Sequence, residues 1–441
     1  MDWLRATAAE LGQGIAAGSI DPVALAQTYL DAIDAHPLRD RIYARVTAGR
    51  ALAEAGAAAA RAKVGRRLSP LDGVPASWKD LYDSAGVATE AGTALMAGRV
   101  PQRDAEVLRN ATALGLVCLG KTHMSEIAFS GLGLNPVTAT PPCVNDAGAV
   151  PGGSSSGAAA SVAFGLAPVA VGSDTGGSIR LPAGWNDLVG FKPTHGRLSV
   201  EGVVPLCASF DTVGPLCRTV ADAALMVAAL EGGRPADLTG ASLKSARLLI
   251  LDTVAMDDLE QEPAAGFASA VKRLEAAGAV IGHGAVPCVT EALGLTGALY
   301  APEAYAWWRE RVEAAPEKMY AQILDRIRLG RDVPAYTFIA GWDRLRVLRA
   351  EYLAATAGYD AVIFPTAAIL PPQVDRLLSD DAYYKAVNLI ALRNTRIGNL
   401  MGLTSVSLPV GVSSCGILFN APPGADARLL RLAAAAERAL A

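Results

Sequence analysis

A lysine and two serines of this sequence are residue types that could carry out nucleophilic catalysis together. Lys79 ends the mainly apolar segment 74–78, and two glycine-rich blocks contain Ser154 and Ser178. Serine is a poor nucleophile at neutral pH and needs an adjacent base. A lysine can act as that base only if burial keeps it neutral, far below its reference pKa of about 10.4. These residue types therefore predict nucleophilic catalysis if the fold buries Lys79 beside the serines.

The serine blocks belong to an unusual stretch of the chain. No charged side chain occurs between Asp146 and Asp174, and the segment opens with the glycine- and serine-rich run 151–157. So long a charge-free run is expected to be buried, but a plain core strand or helix would not carry so much glycine and serine. Glycines that allow close backbone approach, with hydroxyls between them, favour a buried catalytic site.

Other interpretations of this stretch remain open from the residues alone. The pattern Gly153-x-Ser155-x-Gly157 matches the nucleophile elbow of α/β-hydrolases, which requires a preceding strand and a later histidine. Residues 145–151 are typical of a loop, however, and only His195 and His283 follow. This disfavours the elbow.

Three further alternatives concern Asp174, the glycines of this stretch and Lys79. The triplet that Asp174 begins, Asp-Thr-Gly, matches the aspartic proteases, but their chemistry needs a second carboxylate and no second triplet occurs. A glycine-rich structural turn would explain the glycines but not the lysine or the hydroxyls. For a lone lysine at a strand end, the plain alternative is a solvated surface charge.

The elements that must position these residues alternate between strand and helix. The N-terminal region to about residue 63 is helical and alanine-rich, with a helix start at Asp21-Pro22. Strands and helices then follow one another, and this βαβ rhythm predicts a largely parallel sheet covered by helices. The predicted helices are 104–115, 219–230, 263–277 and 426–441, and the predicted strands are 116–119, 188–191, 247–252, 361–365 and 404–409. Residues from about 293 to 357 are predicted to be almost wholly helical.

Composition excludes several classes of protein. The 441 residues carry a formal net charge of −4, with Lys+Arg 39 against Asp+Glu 43, which gives no electrostatic reason to expect nucleic acid. The hydrophobic fraction is 51%, but no run reaches the roughly 18 apolar residues of a membrane span. The N-terminus lacks the order of a signal peptide, so a cytoplasmic protein is expected. The six cysteines form no CxxC pair and are expected to be free thiols.

Taken in order, these blocks resemble the amidase signature family of Ser–cis-Ser–Lys amide hydrolases, over most of the chain. Ser154 follows Lys79 by 75 residues and precedes Ser178 by 24, and both spacings agree with the family pattern. The resemblance is carried by Gly73-Val74-Pro75 before Lys79, Gly120-Lys121-Thr122, Gly152–Gly157, Asp174–Pro182 and Gly190–Thr194.

The resemblance implies an α/β amidase-signature fold. We expect a single domain over residues 1–441, with a central mixed, largely parallel, twisted sheet covered by helices on both faces. The signature core would cover about 70–220. The helical layer at about 293–357 would be inserted before the returning strands.

It also implies a mechanism. Ser178 would be the nucleophile, and Ser154, in a cis peptide, would relay the proton to neutral Lys79 and later return it to the departing amine. Water would then hydrolyse the acyl-enzyme. Each oxyanion-hole donor is worth about 3–4 kcal/mol of the barrier. The expected donors are the backbone N–H groups of Thr175, Gly176, Gly177 and Ser178.

Supporting roles are implied for Ser155 and Asp174, which would hold the hydroxyls and the loop in place, and for Arg180, as a structural ion-pair partner. No metal or organic cofactor is expected, because the sequence has no HExxH motif and no Cys/His ligand cluster. The segment after Pro182 departs from the family pattern, since residues 183–187 replace a small residue, an aromatic residue and Cys-Gly. That departure removes no catalytic group.

The expected function is hydrolysis of a small carboxylic amide, with release of ammonia or an amine and without a nucleic-acid or membrane partner. A homodimer stays open. One alternative is the A-type subunit of a glutamine-dependent tRNA amidotransferase, although the segment 205–215 is more similar to small-amide hydrolases. A hydrolase of carbamoyl compounds such as allophanate, and a non-catalytic binding module, are further alternatives. Candidate specificity elements are the loop 129–136, Trp185 and the helix carrying Trp307 and Trp308.

Overall fold

The computed structural model describes residues 2–441. Within them, eleven strands form one hydrogen-bonded sheet. In chain order the strands are β1 (Tyr43–Val46), β2 (Pro75–Lys79), β3 (Val117–Thr122), β4 (Val169–Ser173), β5 (Val189–Lys192), β6 (Val213–Cys217), β7 (Arg247–Leu251), β8 (Val280–Gly284), β9 (Ala361–Pro365), β10 (Thr404–Pro409) and β11 (Gly416–Ala421).

The strands lie across the sheet in the order β1-β3-β2-β4-β6-β5-β10-β11-β9-β7-β8. Four neighbouring pairs are parallel: β2 with β3 and β4, and β7 with β8 and β9. The other six pairs are antiparallel. A mixed sheet is therefore confirmed, but the prediction that it is largely parallel is wrong. Strands β10 and β11, for example, are joined by the short connection 410–415, which leaves no room for the crossover that parallel neighbours need.

Helices flank the sheet, which makes the fold α/β. They are α1 (Ala8–Ala16), α2 (Pro22–Ala35), α3 (Arg39–Ile42), α4 (Ala48–Lys63), α5 (Glu106–Ala113), α6 (Ser156–Ala163), α7 (Arg180–Trp185), α8 (Val220–Glu231), α9 (Gln261–Ala276), α10 (Cys288–Gly294), α11 (Thr296–Ala314), α12 (Ala321–Arg328), α13 (Ala335–Thr356), α14 (Val374–Ser379), α15 (Asp381–Leu400) and α16 (Asp426–Leu440). None of the helices in residues 2–441 combines the length and the apolar character needed to cross a bilayer.

Most predicted elements are present. Strands β9 and β10 have the predicted bounds, and Asp21 caps helix α2 with Pro22 at its first position. Helices α11, α12 and α13 occupy most of 293–357, as predicted. The sequence did not predict helix α15 or strand β11. The assignment of residues 1–441 to one domain, with a signature core at about 70–220, stays a prediction.

The central charge-free stretch packs into the middle of the molecule. It supplies helix α6 and strand β4, and every residue of both elements is buried. Helix α6 packs on β4, β2 and β3. Because β2, β3 and β4 run parallel, their carboxyl ends meet at one edge of the sheet. The predicted burial is confirmed, and this edge carries Lys79 and Ser173.

Candidate active site

Lys79 is the last residue of strand β2, and the parallel register places it beside the end of β4. Trp78 pairs with Val171, so the Lys79 side chain reaches the level of Ser173. Its Nζ donates to Ser154 Oγ at 2.7 Å and to Ser173 Oγ at 2.8 Å. Lys79 has no exposed surface. The plain alternative of a solvated surface lysine is therefore wrong.

The environment of Lys79 favours a neutral amine. Burial lowers the pKa of Lys79 to about 7, and the charges of Asp211 and Asp174 oppose that shift only in part. No carboxylate in the described residues forms an ion pair with Lys79, and its hydrogen-bond partners are hydroxyl groups. Near neutral pH, a substantial fraction of Lys79 can therefore accept a proton.

Ser154 and its neighbour Ser155 precede helix α6. The peptide bond between Gly153 and Ser154 is cis, as the resemblance implied. The Ser155 hydroxyl donates to the carbonyl oxygen of Ser173 at 3.2 Å and accepts from its N–H at 3.3 Å. The Ser155 N–H also donates to the carbonyl oxygen of Ser178 at 3.3 Å. Ser155 therefore ties the two glycine-rich blocks together through its hydroxyl and its backbone.

Asp174 organises the loop that carries Ser178. Its carboxylate accepts from the backbone N–H groups of Gly177 at 2.8 Å and Ile179 at 3.1 Å. It is also paired with the guanidinium of Arg180 at 2.9 Å and with the amide of Asn399 at 2.8 Å. Burial alone would raise the pKa of the Asp174 carboxyl, but these partners hold it well below its usual range. The fixed carboxylate sets the path of residues 174–180.

Gly177 occupies a position in this loop that other residues cannot fill. Its φ is +130°, and an added Cβ would lie 1.9 Å from Thr395 Oγ1. The Thr395 hydroxyl donates to the carbonyl oxygen of Gly176 at 3.0 Å. Helix α15 therefore packs directly against the turn before Ser178, and only glycine permits this contact.

The expected oxyanion donors differ in availability. The N–H of Gly177 already donates to Asp174. In contrast, the N–H groups of Thr175, Gly176 and Ser178 make no hydrogen bond to any residue between 2 and 441. The Thr175 hydroxyl donates to Asp211 Oδ1 at 2.5 Å, which anchors the start of the loop. Three of the four expected donors are thus free for a ligand in this conformation.

Ser178 lies two residues before helix α7 and lines a small inner cavity of about 30 Å³. No hydrogen bond within residues 2–441 joins its hydroxyl to that of Ser154. Hydrogen bonds between catalytic groups are often long without a substrate and tighten once it binds. The inner cavity is lined by Ala128, Phe129, Ser130, Thr175, Gly176, Ser178, Leu206, Thr296, Tyr300, Arg326, Leu392 and Arg396.

A larger outer cavity of about 860 Å³ adjoins the inner one but does not itself reach Ser178. The two cavities have five lining residues in common. The shared residues are Phe129, Thr296, Tyr300, Arg326 and Arg396. Phe210, in the segment 205–215, stacks on Tyr300 with a centroid distance of 4.2 Å and so supports this wall from behind.

The candidate specificity residues lie in different places. Phe129, from the loop 129–136, lines both cavities. Trp185 is fully buried, and its indole N–H donates to the carbonyl oxygen of Ile369. Trp308 is also buried and donates to Pro205, whereas Trp307 is partly exposed. None of the three tryptophans lines either cavity.

Sequence reasoning missed the contribution of helix α15. This helix supplies Thr395, Arg396 and Asn399 to the loop and the cavity. A signal was present, because Asp380 is a capping residue and Tyr384, Val387 and Ala391 follow at helical spacing. Asp211 was also missed, and nothing in its neighbourhood in the sequence shows that it would contact Thr175.

Metal-binding side chains do not gather at this site. Across the part of the chain that the structure describes, no group of three or more His, Cys, Asp or Glu residues is arranged to hold a metal ion. All six cysteines are free and buried. The expectation of cofactor-free chemistry stays a prediction.

Comparisons with known proteins found relatives over most of the chain. A protein 36% identical over 381 residues, 84% of this chain and 82% of its own, is the 2-amino-5-chloromuconic acid deaminase of Comamonas testosteroni. The A-type subunit of the glutamyl-tRNA(Gln) amidotransferase of Acidothermus cellulolyticus is 33% identical over 99% of this chain and 95% of its own.

Among solved structures, an amidase covering 99% of this chain and 100% of its own has a TM-score of 0.89 at 28% identity. The peptide amidase of Stenotrophomonas maltophilia has a TM-score of 0.82 at 26% identity, covering 100% of this chain and 98% of its own. The model of the Amidase family matches residues 24–430, almost the whole chain. The protein therefore belongs to the amidase family and is an amide-cleaving hydrolase.

Proposed function

We propose that this protein hydrolyses a small carboxylic amide through an acyl-enzyme formed on Ser178, with Ser154 and Lys79 as the proton relay. One observation carries the proposal: the fully buried Lys79 amine donates to Ser154 Oγ at 2.7 Å, and burial lowers its pKa to about 7. An amine so placed can be neutral at physiological pH, which a serine nucleophile requires of its base.

The reaction proceeds in two halves. The Ser178 hydroxyl attacks the amide carbonyl and passes its proton to Ser154, while Ser154 passes its own proton to Lys79. The proton returns by the same route to the leaving nitrogen, so that ammonia or an amine departs as the C–N bond breaks. Water then enters, loses a proton to the relay and releases the carboxylic acid from Ser178.

Charge on the carbonyl oxygen would be stabilised by backbone donors of the loop 175–178. The free N–H groups of Thr175, Gly176 and Ser178 are the candidates, and each would contribute about 3–4 kcal/mol. The N–H of Gly177 donates to Asp174 and therefore helps to fix the loop instead of binding the carbonyl oxygen. In this proposal Asp174, Arg180 and Ser155 are positioning residues.

Ser178→Ala tests the nucleophile. We expect kcat on the best amide of a panel, followed by ammonia release, to fall by about 10⁴- to 10⁶-fold, as with other catalytic serines. A fluorophosphonate probe should label the parent at Ser178, located by peptide mass spectrometry, and should not label the variant.

Ser379→Ala is the matched control. Ser379 is exposed on helix α14, and its hydroxyl donates to backbone carbonyls of that helix alone. This variant should keep both turnover and labelling. Full amidase activity in Ser178→Ala, or probe attachment to a different serine in the parent, would contradict the assignment.

The second candidate function is that of an A-type amidotransferase subunit. It is favoured by the 33% identity with such a protein over 99% of this chain. Glutaminase activity that appears only in a stoichiometric complex with partner subunits, with no amide turnover by the purified chain, would establish it. Amide turnover by the purified chain alone favours the stand-alone hydrolase.

The identity of the substrate, the compound whose C–N bond is cleaved, is also part of the proposal. The relative from Comamonas testosteroni is named as a deaminase, which also breaks a C–N bond. The substrate panel therefore also includes carbamoyl compounds such as allophanate, whose hydrolysis breaks a C–N bond. A cytoplasmic location and a homodimer likewise stay predictions, to be checked by fractionation and by light scattering.

A further inference from the structure

Two arginine side chains in the wall of the substrate cavities have no partner. Arg326 of helix α12 and Arg396 of helix α15 line both the inner and the outer cavity. Among the described residues, neither guanidinium pairs with a carboxylate. Arg326 Nη1 and Arg396 Nη2 are buried without a hydrogen-bond partner, and Arg396 is only 6% exposed. Because a buried unpaired charge is costly, such a pair indicates a site for an anion.

Other charges around the cavities are neutralised. The two carboxylates that line the outer cavity are Asp325 and Asp332, which pair with Lys385 and Arg331, each at 3.1 Å. Neither carboxylate compensates Arg326 or Arg396. Positive charge therefore remains at the junction of the two cavities, where a ligand would be in contact with it.

Arg396 lies close to the catalytic loop, and Arg326 stacks on a residue of the cavity wall. Arg396 Nε lies 3.8 Å from the point that a Cβ on Gly176 would occupy. The Arg326 guanidinium lies 4.5 Å over the ring of Phe129, and this stacking leaves its edge donors free. Burial, and then the charge of Arg396, lower the pKa of Arg326 to about 10, so it remains charged near neutral pH.

Two uncharged groups in the same wall are also unsatisfied. The Tyr300 hydroxyl and Gln322 Oε1 are buried and have no hydrogen-bond partner in residues 2–441. Tyr300 lines both cavities, and Gln322 lines the outer one. A small polar ligand would satisfy several of these groups at once.

We infer that the substrate is an amide that also carries a carboxylate, and that Arg326 and Arg396 bind this carboxylate while Ser178 attacks the amide. The inference rests on the proposed function. The planar guanidinium fork matches a carboxylate with two parallel hydrogen bonds. Both arginines line the inner cavity of about 30 Å³ together with Ser178, and so small a cavity favours a short substrate. The chemical class is the monoamide of a short dicarboxylic acid.

The test compares anionic amides with neutral ones of the same shape: malonamate with propionamide, succinamate with butyramide, and glutaramate with valeramide. We expect the parent to prefer the anionic member of at least one pair. For that pair, Arg396→Gln and Arg326→Gln should each lower kcat/KM for the anionic amide by about 10- to 100-fold, the range for hydrogen bonds to charged groups. For the neutral amide, kcat/KM should change by less than about threefold.

A binding measurement does not depend on turnover. The dianionic product of the preferred pair, succinate for example, should raise the Tm of the parent, and butyrate at the same concentration should not. Arg396→Gln should lose this shift. Arg346→Gln removes the same charge from an exposed arginine of helix α13 that pairs with Asp343 at 2.7 Å and lines neither cavity, and it should keep both the shift and the preference.

The outcomes separate this inference from the proposed function. If the parent hydrolyses neutral amides as well as anionic ones at every chain length, and dicarboxylates do not raise its Tm, the inference is overturned and the proposed function stands. Equal losses on both members of a pair in Arg396→Gln also overturn it, because they would place Arg396 at the oxyanion. If no amide is hydrolysed but succinate still stabilises the parent and not Arg396→Gln, the proposed function fails and the carboxylate site stands.

Discussion

Two lysines on adjacent strands are equally buried but have different partners. Lys79 on β2 and Lys121 on β3 both have 0% exposure, and Trp78 pairs with Lys121 in the parallel register. Lys121 lies 3.2 Å from Asp80 Oδ1, an ion pair without the alignment of a hydrogen bond. Lys79 instead contacts the hydroxyls of Ser154 and Ser173.

The difference shows how one fold uses the same residue type in two ways. Burial lowers the pKa of both amines, but the contact with Asp80 favours the charged form of Lys121. Lys121 also donates to the carbonyl oxygen of Tyr82 at 2.6 Å and to Thr89 Oγ1 at 2.9 Å, so two hydrogen bonds and one ion pair hold the ammonium group. We interpret Lys121 as a structural cation because a carboxylate contacts it, and Lys79 as a base because its hydrogen-bond partners are the hydroxyls of Ser154 and Ser173.

Among the tests of this comparison between the two lysines, Lys79→Met should have the largest effect. Methionine fills a similar volume but cannot accept a proton, so kcat/KM should fall by about 10³- to 10⁴-fold, the upper range for loss of a general base. Circular dichroism and Tm should show a folded protein, since no ion pair is broken. Activity within tenfold of the parent would show that Lys79 is not the base.

Lys121→Met is the converse experiment. It leaves the Asp80 carboxylate, which is 3% exposed, with Arg45 at 3.3 Å as its remaining ion-pair partner. We expect the free energy of unfolding, measured in urea, to fall by about 3 kcal/mol, the lower end for breaking a buried pair. Activity per folded molecule, counted by fluorophosphonate titration, should stay within about threefold. If the Lys121→Met enzyme were folded but as inactive as Lys79→Met, the assignment of Lys121 as a structural cation and of Lys79 as the base would be wrong.

The pH dependence of activity should show the ionisation of Lys79 itself. Because the pKa of Lys79 lies at about 7 and only the neutral amine is active, kcat/KM should decrease about tenfold per pH unit below about 7 and level off above it. Stopped-time ammonia assays across pH 5–9, in buffers of constant ionic strength, would measure this.

Asp211→Asn sharpens the assignment of that pKa. The Asp211 charge raises the pKa of Lys79, so its removal should move the acid limb to lower pH. Lys121→Met should leave the limb in place. An acid limb that does not respond to Asp211→Asn would have to be assigned to a group other than Lys79.

Much of the fold was predictable because its signals are local. Hydrophobic periodicity and capping residues located strands β9 and β10 and the start of helix α2. The direction of strand pairing was not predictable in the same way. Alternation of strands and helices suggested a largely parallel sheet, but six of the ten neighbouring pairs are antiparallel. Four of these pairs join strands that are not consecutive in the chain, and the other two, β5 with β6 and β10 with β11, join consecutive strands that have no helix between them.

The sequence alone determined which groups could react: a lysine at a strand end, serines in two glycine-rich blocks, and no charge between Asp146 and Asp174. The tertiary structure decided that Lys79 is buried against Ser154 and Ser173. It also decided that helix α15 brings Asn399 to Asp174 and Arg396 to the cavity that Ser178 lines. The physical reason is that reactivity depends on solvation and on partners. Both are set by contacts between segments that lie 75 to more than 200 residues apart, which no local pattern records.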